Sequence, residues 1–226
     1  MLVEQETDAG CTKVLIDTSP DLRMQLLDAG VGSLDGVVYT HSHADHVHGL
    51  DDLRMIVFNM RKRLKVWADE PTSQSLLERF AYAFVQPKGS PYPPILELNR
   101  LTKVTEIFGL GGTIQFHPFI VRHGSIEALG FRIGPLVYLP DVSEMTEEAW
   151  AALEGAELWV LDALRRDPHP THTHLEQSLN WIQTSSVGSA VLTNMHIDLD
   201  YDTLKRELPD GVVPAYDGLT LHFDVS

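Results

Sequence analysis

Two periodicities of apolar residues alternate along the first part of this chain. Short apolar runs occur at residues 13–16 and 37–39, the second with the pattern of a strand buried on both faces, and residues 64–68 read as a further strand. Between them, apolar residues recur at helical steps. Ser19-Pro20-Asp21 reads as cap, first position and first turn of a helix that carries Leu22, Leu26 and Ala29 and closes at Gly30. Residues 50–60 and 71–83 read as two further helices, the second with Pro71 in its first turn. From Leu101 the pattern turns to strands, at 103–108, 113–121, 128–133 and 136–139, separated by Gly111-Gly112 and Gly134-Pro135. Helices at 145–153 (capped by Ser143 or Thr146), 175–182 and 199–208 then alternate with strands at 158–161 and 190–192. The stretch 213–225 predicts a short strand, an Asp217-Gly218 turn and a closing strand.

Strand–helix–strand order within thirty residues points to an α/β layered fold with its chemistry at strand ends. No repeat, low-complexity segment or linker divides the sequence, so residues 1–226 are expected to form one domain. Residues 86–94 hold four prolines and a glycine and cannot sustain regular structure. They read as a projecting loop near the site or as a subunit contact, which makes a homodimer compatible with the sequence.

Charge narrows the partners. Lys and Arg number 17 against 32 Asp and Glu, a net −15, and that field discourages nucleic acid and anionic membranes. A small anionic substrate remains compatible, because divalent cations dominate the potential inside their own site. Cys11 is the only cysteine, so neither an intrachain disulfide nor a thiolate cluster can form. Neither a membrane span nor a secretory leader is legible, and a cytoplasmic protein is expected.

The chemistry concentrates in His41-Ser42-His43-Ala44-Asp45-His46, directly after the run Val37-Val38-Tyr39-Thr40. Alternation sends His41 and His43 one way, while Asp45 and His46 open the next element and can turn toward a second point. Imidazoles with a carboxylate suit zinc, manganese or iron, and this spacing suits a pair of ions. Four groups are too few for two ions. Three more share the same context, a polar residue just past an apolar strand: His123 after Phe119-Ile120-Val121-Arg122, Asp141 after Val137-Tyr138-Leu139-Pro140, and His196 after Val191-Leu192-Thr193-Asn194-Met195. Neighbouring strands would bring all seven to one edge.

These residues carry a resemblance. Val37 to His46 resembles the metallo-β-lactamase superfamily signature, an apolar strand followed by His-x-His-x-Asp-His. Arg122-His123-Gly124, Leu139-Pro140-Asp141 and Leu192-Thr193-Asn194-Met195-His196 match its later ligand blocks in order. The resemblance implies an αββα four-layer sandwich holding two divalent metal ions, zinc or manganese, with iron compatible. By the family pattern one ion takes His41, His43 and His123, the other takes Asp45, His46 and His196, and Asp141 bridges. A first strand and loop that precede this segment in the family are expected to be missing here. Asn194 stands where relatives often place a histidine, which leaves His196 as the candidate seventh ligand.

Asp141 occupies a position that many β-lactamases fill with cysteine. Pro168-His169-Pro170-Thr171-His172-Thr173-His174 is similar to the segment that supplies an acid histidine in the superfamily's phosphodiesterases. The runs at 17–23 and 48–54 are similar to phosphoribosyl cyclic phosphodiesterases. The resemblance therefore implies hydrolysis of a small, cyclic phosphodiester, with His172 as acid, His174 second, and Asp45 and Asp141 holding the ions. Asp17 is expected to fix a ligand imidazole. The same residues leave open a thioester or lactone hydrolase, a tRNA 3′-processing nuclease, and a non-catalytic metal- or nucleotide-binding scaffold.

Overall fold

The computed structural model describes residues 1–223. Backbone contacts divide the chain into two compact units, Met1–Gln115 and Phe116 onward.

The first unit is built on a five-stranded sheet. An antiparallel hairpin, β1 (Leu2–Thr7) and β2 (Gly10–Ile16), opens it with Leu2 opposite Leu15 and Thr7 opposite Gly10. Three strands then add in parallel: β3 (Gly36–Val38), β4 (Leu64–Ala68) and β5 (Leu96–Arg100). Parallel pairing demands crossovers, and α1 (Leu22–Asp28), α2 (Ala44–Val47), α3 (Leu53–Met60) and α4 (Glu70–Phe84) lie in those connections. Val37, Val38 and Tyr39 are fully buried, as their unbroken apolar run requires, and Val37 and Tyr39 join a core with Leu22, Leu53, Val66 and Leu76. α1 starts at Leu22 rather than Ser19. Asp21 occupies its cap without a side-chain bond, and the Leu22 amide donates to Ser19 O.

That delay matters to the site, because Thr18 and Ser19 run beside the helix that begins in the histidine loop. The Thr18 amide donates to His46 O (2.7 Å) and the Gly49 amide to Thr18 O (3.1 Å). A Cβ on Gly49 would lie 2.0 Å from Ser19 O, so only glycine admits this approach.

β6 (Thr105–Gly109) and the start of β7 (Gly112–His123) belong to the first unit. They lead into a seven-stranded sheet that continues with β8 (Ile126–Ile133), β9 (Leu136–Leu139), β10 (Leu158–Asp162), β11 (Ser189–Thr193) and β12 (Val212–Pro214). Its order is β12-β11-β10-β9-β8-β7-β6. In the second unit β7, β8 and β9 meander antiparallel, and β9 to β12 are parallel. α5 (Glu147–Ala152), α6 (Leu175–Thr184) and α7 (Tyr201–Glu207) make the crossovers. Thr146 caps α5 through the Ala149 amide (3.1 Å). Leu139, Leu161 and Leu192 stand abreast, so these three strands end together.

β1 and β5 lie outside the elements read from sequence. The Asp217-Gly218 turn forms, residues 219–223 are not strand, and the remainder of the closing strand, at 224–225, lies outside the described residues.

Candidate metal centre

In the first unit the three histidines of the loop gather. The His41 ring lies 4.6 Å from that of His43 and 4.2 Å from that of His46, centroid to centroid. Asp45 Oδ2 stands 3.4 Å from His46 Nε2. His41 and His46 are buried, whereas His43 and Asp45 face outward.

Asp17 organises this group. It follows β2 in the left-handed region (φ 60°), a conformation that few non-glycine residues adopt and that turns its carboxylate back under the loop. Oδ1 accepts the Thr40 amide (2.8 Å); Oδ2 accepts the Thr40 hydroxyl (2.8 Å) and His46 Nδ1–H (2.8 Å). With its proton given to Asp17, the Thr40 hydroxyl can accept from His41 Nδ1–H (3.0 Å). One carboxylate thus engages both buried imidazoles on the Nδ1 side, that of His46 directly and that of His41 by way of Thr40. A metal-binding histidine is ordinarily held this way. Asp17→Ala should lower metal affinity by about 10–100-fold, read by competition with a chelator, while Asp45 and the three histidines remain in place.

The second unit repeats the device. His123, at the end of β7, donates Nδ1–H to Thr171 O (2.6 Å). Gly124 (φ 62°) permits the approach, since a Cβ there would lie 2.5 Å from Thr171 Cγ2. His123 Nε2 stands 3.8 Å from Asp141 Oδ2. His172 lies in the same group: its ring is 4.6 Å from that of His123, and its Nδ1 is 3.9 Å from Asp141 Oδ1. Its Nδ1–H donates to Asp162 Oδ2 (2.8 Å), which also accepts the Val142 amide (3.1 Å). Burial pushes the Asp162 carboxyl up to about 7, with the His172 hydrogen bond and charge opposing.

Of the two candidate acids, His172 is the one inside this group. His174 caps α6, its carbonyl accepting the Ser178 amide (2.9 Å). Asn194 adopts φ 58°, the chain turns outward, and the His196 side chain is 57% exposed with Nδ1 bonded to Asp198 (2.8 Å). The residue that reaches Asp141 is Asn194, through Nδ2 to Oδ1 (2.6 Å).

Sequence reasoning passed over Asp162 and Arg79. Asp162 had a signal, since it ends the apolar run 158–161 as Asp17 ends 13–16. Arg79 had none: it lies on α4 and donates to Ser42 O (2.7 Å), between two histidines of the loop. The donor set fits divalent metal: imidazoles fixed to present Nε2, with carboxylates beside them.

Comparison with known proteins agrees. The model of the β-lactamase superfamily domain matches residues 12–197. A crystal structure of a diphosphatase from the PhnP family superposes with TM-score 0.86 at 36% identity, covering 99% of this chain and 84% of the other. An octanoyltransferase of Porphyromonas gingivalis is 35% identical over 96% of this chain and 44% of its own length. A ribonuclease Z of Bradyrhizobium is 29% identical over 54% of this chain and 40% of its own. The chain thus spans less than half the length of either curated relative. No helix among the described residues is long and apolar enough to cross a membrane. Matched along most of its length, with the two sheets and the histidine–aspartate clusters in place, the chain belongs to the metallo-β-lactamase superfamily of hydrolases and resembles the PhnP family within it.

Proposed function

We propose that the protein is a dinuclear-metal phosphodiesterase acting on a small phosphorylated compound, in the first place a cyclic phosphodiester of a phosphoribosyl or nucleotide type. The observation that carries the reading is the His172–Asp162 pair, an imidazole oriented by a buried carboxylate beside Asp141 and His123. Hydrolysis of an alkyl phosphodiester needs a proton for the departing oxygen. His172 Nε2 is the atom to supply it, and Asp162 offsets the charge on the imidazolium before the proton is given up. One ion would be held by His41, His43 and His123, the other by Asp45 and His46, with Asp141 shared. His196 is the seventh candidate ligand, its Nδ1 bonded to Asp198 as that of His46 is to Asp17. Zinc or manganese, when bound, lowers the pKa of water and neutralises charge on the phosphate. The remaining residues position: Asp17 and Thr171 hold the imidazoles, and Arg79 holds the Ser42 carbonyl within the loop.

The 36% identity to a diphosphatase favours a second reading, hydrolysis of a phosphoric anhydride. The charge of −15 argues against RNA, and the single Cys11 suits a reducing cytoplasm. The metal-loaded protein should be assayed against cyclic phosphates, linear diesters, diphosphates and thioesters at matched concentrations. Cyclic phosphates are expected to turn over fastest. Preference for diphosphates would shift the assignment to the second reading, and turnover of thioesters alone would overturn both.

A further inference from the structure

The connection from β10 to α6 holds no regular structure, yet it is tied down along its length. The Leu164 amide donates to Thr173 O (3.2 Å), the Thr173 amide to Val142 O (2.5 Å) and the Leu175 amide to Arg165 O (2.9 Å). Arg165 turns its guanidinium back into the same loop, Nε donating to Asp167 O (3.1 Å) and Nη2 to Pro168 O (2.7 Å). His169 lies within this frame, between Pro168 and Pro170. The proline that follows restricts it to extended backbone, and the one before it fixes its own φ.

The His169 ring is held as firmly as its backbone. The Thr171 amide donates to His169 Nδ1 (3.3 Å), and the Thr171 hydroxyl stands 3.2 Å from the same nitrogen. A backbone amide can only donate. Nδ1 is therefore the unprotonated nitrogen, and the ring proton is on Nε2. Partial burial, and after it the charges of Arg165 and His172, push this imidazole below its ordinary range, which favours the neutral ring. The His169 and His172 rings lie 5.3 Å apart, centroid to centroid, their planes tilted by 53°. His172 has its Nδ1 on Asp162 Oδ2 (2.8 Å), so each of the two neighbouring rings has Nδ1 engaged by the protein.

Resting on the reading of His172 as the acid, we propose that His169 is a substrate contact, its Nε2–H binding a hydroxyl or ether oxygen next to the departing oxygen. The leaving group it selects is an alcohol that carries such a second oxygen, as a sugar does. A neutral donor suits an uncharged oxygen, whereas a second phosphate gains most from a cationic one.

The test uses dibutyl phosphate and bis(methoxyethyl) phosphate, which differ only in an ether oxygen replacing one methylene in each arm. Turnover is measured on the metal-loaded protein, and binding of the two product monoesters by titration calorimetry. The parent should favour the ether-bearing compound by about 3–10-fold in kcat/KM and in affinity, the worth of one hydrogen bond. His169→Asn sets a carbonyl where Nδ1 stands and lacks the outer donor, so the preference should vanish from both measurements. His169→Gln gives up the bond to Thr171 but carries an amide N–H near the place of Nε2, so the preference should persist. A merely structural role predicts the reverse, with Asn resembling the parent and Gln not.

That reversed pattern, or a parent without preference, would overturn the assignment to His169. Turnover of neither diester, with the expected pattern in monoester binding, would support His169 as a contact while removing the phosphodiesterase. Turnover of neither, with no preference in binding, would overturn both.

Discussion

Asp45→Ala is expected to abolish turnover while leaving the fold intact. Its side chain is 64% exposed, in the first turn of α2, and its Oδ2 stands 3.4 Å from His46 Nε2. Substitution of a side chain this exposed ordinarily changes stability by no more than about 0.5 kcal/mol. The thermal unfolding of the metal-free variant should therefore match that of the parent. Its metal content should fall, because a carboxylate proposed as a ligand is lost. Turnover should drop below detection, since the ions generate the nucleophile and neutralise the phosphate at once. Elemental analysis, unfolding and activity on the same preparation separate ligation from stability. A metal-depleted Asp45→Ala protein with full activity would end the metal-dependent reading.

The second large effect belongs to His172→Ala. A positioned general acid contributes about 10²–10⁴-fold to a proton transfer, so kcat should fall by that factor with KM little changed. The loss should shrink for a nitrophenyl ester, whose leaving group departs as a stabilised anion and needs no proton. Metal content should stay at the parent level, because His172 spends Nδ1 on Asp162 and is assigned to neither ion. Loss of metal in His172→Ala, or an equal fall on both kinds of ester, would move His172 from acid to ligand.

Much of this architecture was legible from residue order. Val37 to Tyr39 reads as a buried strand because both faces must be apolar, and the loop after it carries its ligands at a spacing that survives folding. Asp17 was legible too, as a carboxylate just past a strand, although its torsion of 60° was not. β1 escaped because Glu4, Gln5 and Glu6 interrupt any apolar pattern in a half-exposed edge strand. β5 escaped because five residues, with only Leu96 fully buried, offer little periodicity after four prolines. Asp162 was hidden by its neighbours, since an apolar strand draws attention to its core rather than to its last residue. The left-handed torsion at Asn194, which brings its amide to Asp141, had no signal in residue order.

Leu139, Leu161 and Leu192 stand level in three parallel strands; Asp162 ends β10, and Asp141 and Asn194 lie just past β9 and β11. This has a bearing on descent. A residue gained or lost inside β10 would exchange the places of Leu161 and Asp162, because side chains alternate faces. Residues gained in 165–171 or 195–200 would leave the strand ends where they are. Inherited changes in length are thereby confined to the loops, which are the parts that would meet a substrate. Lineages can drift in what they accept while the reacting groups stay fixed.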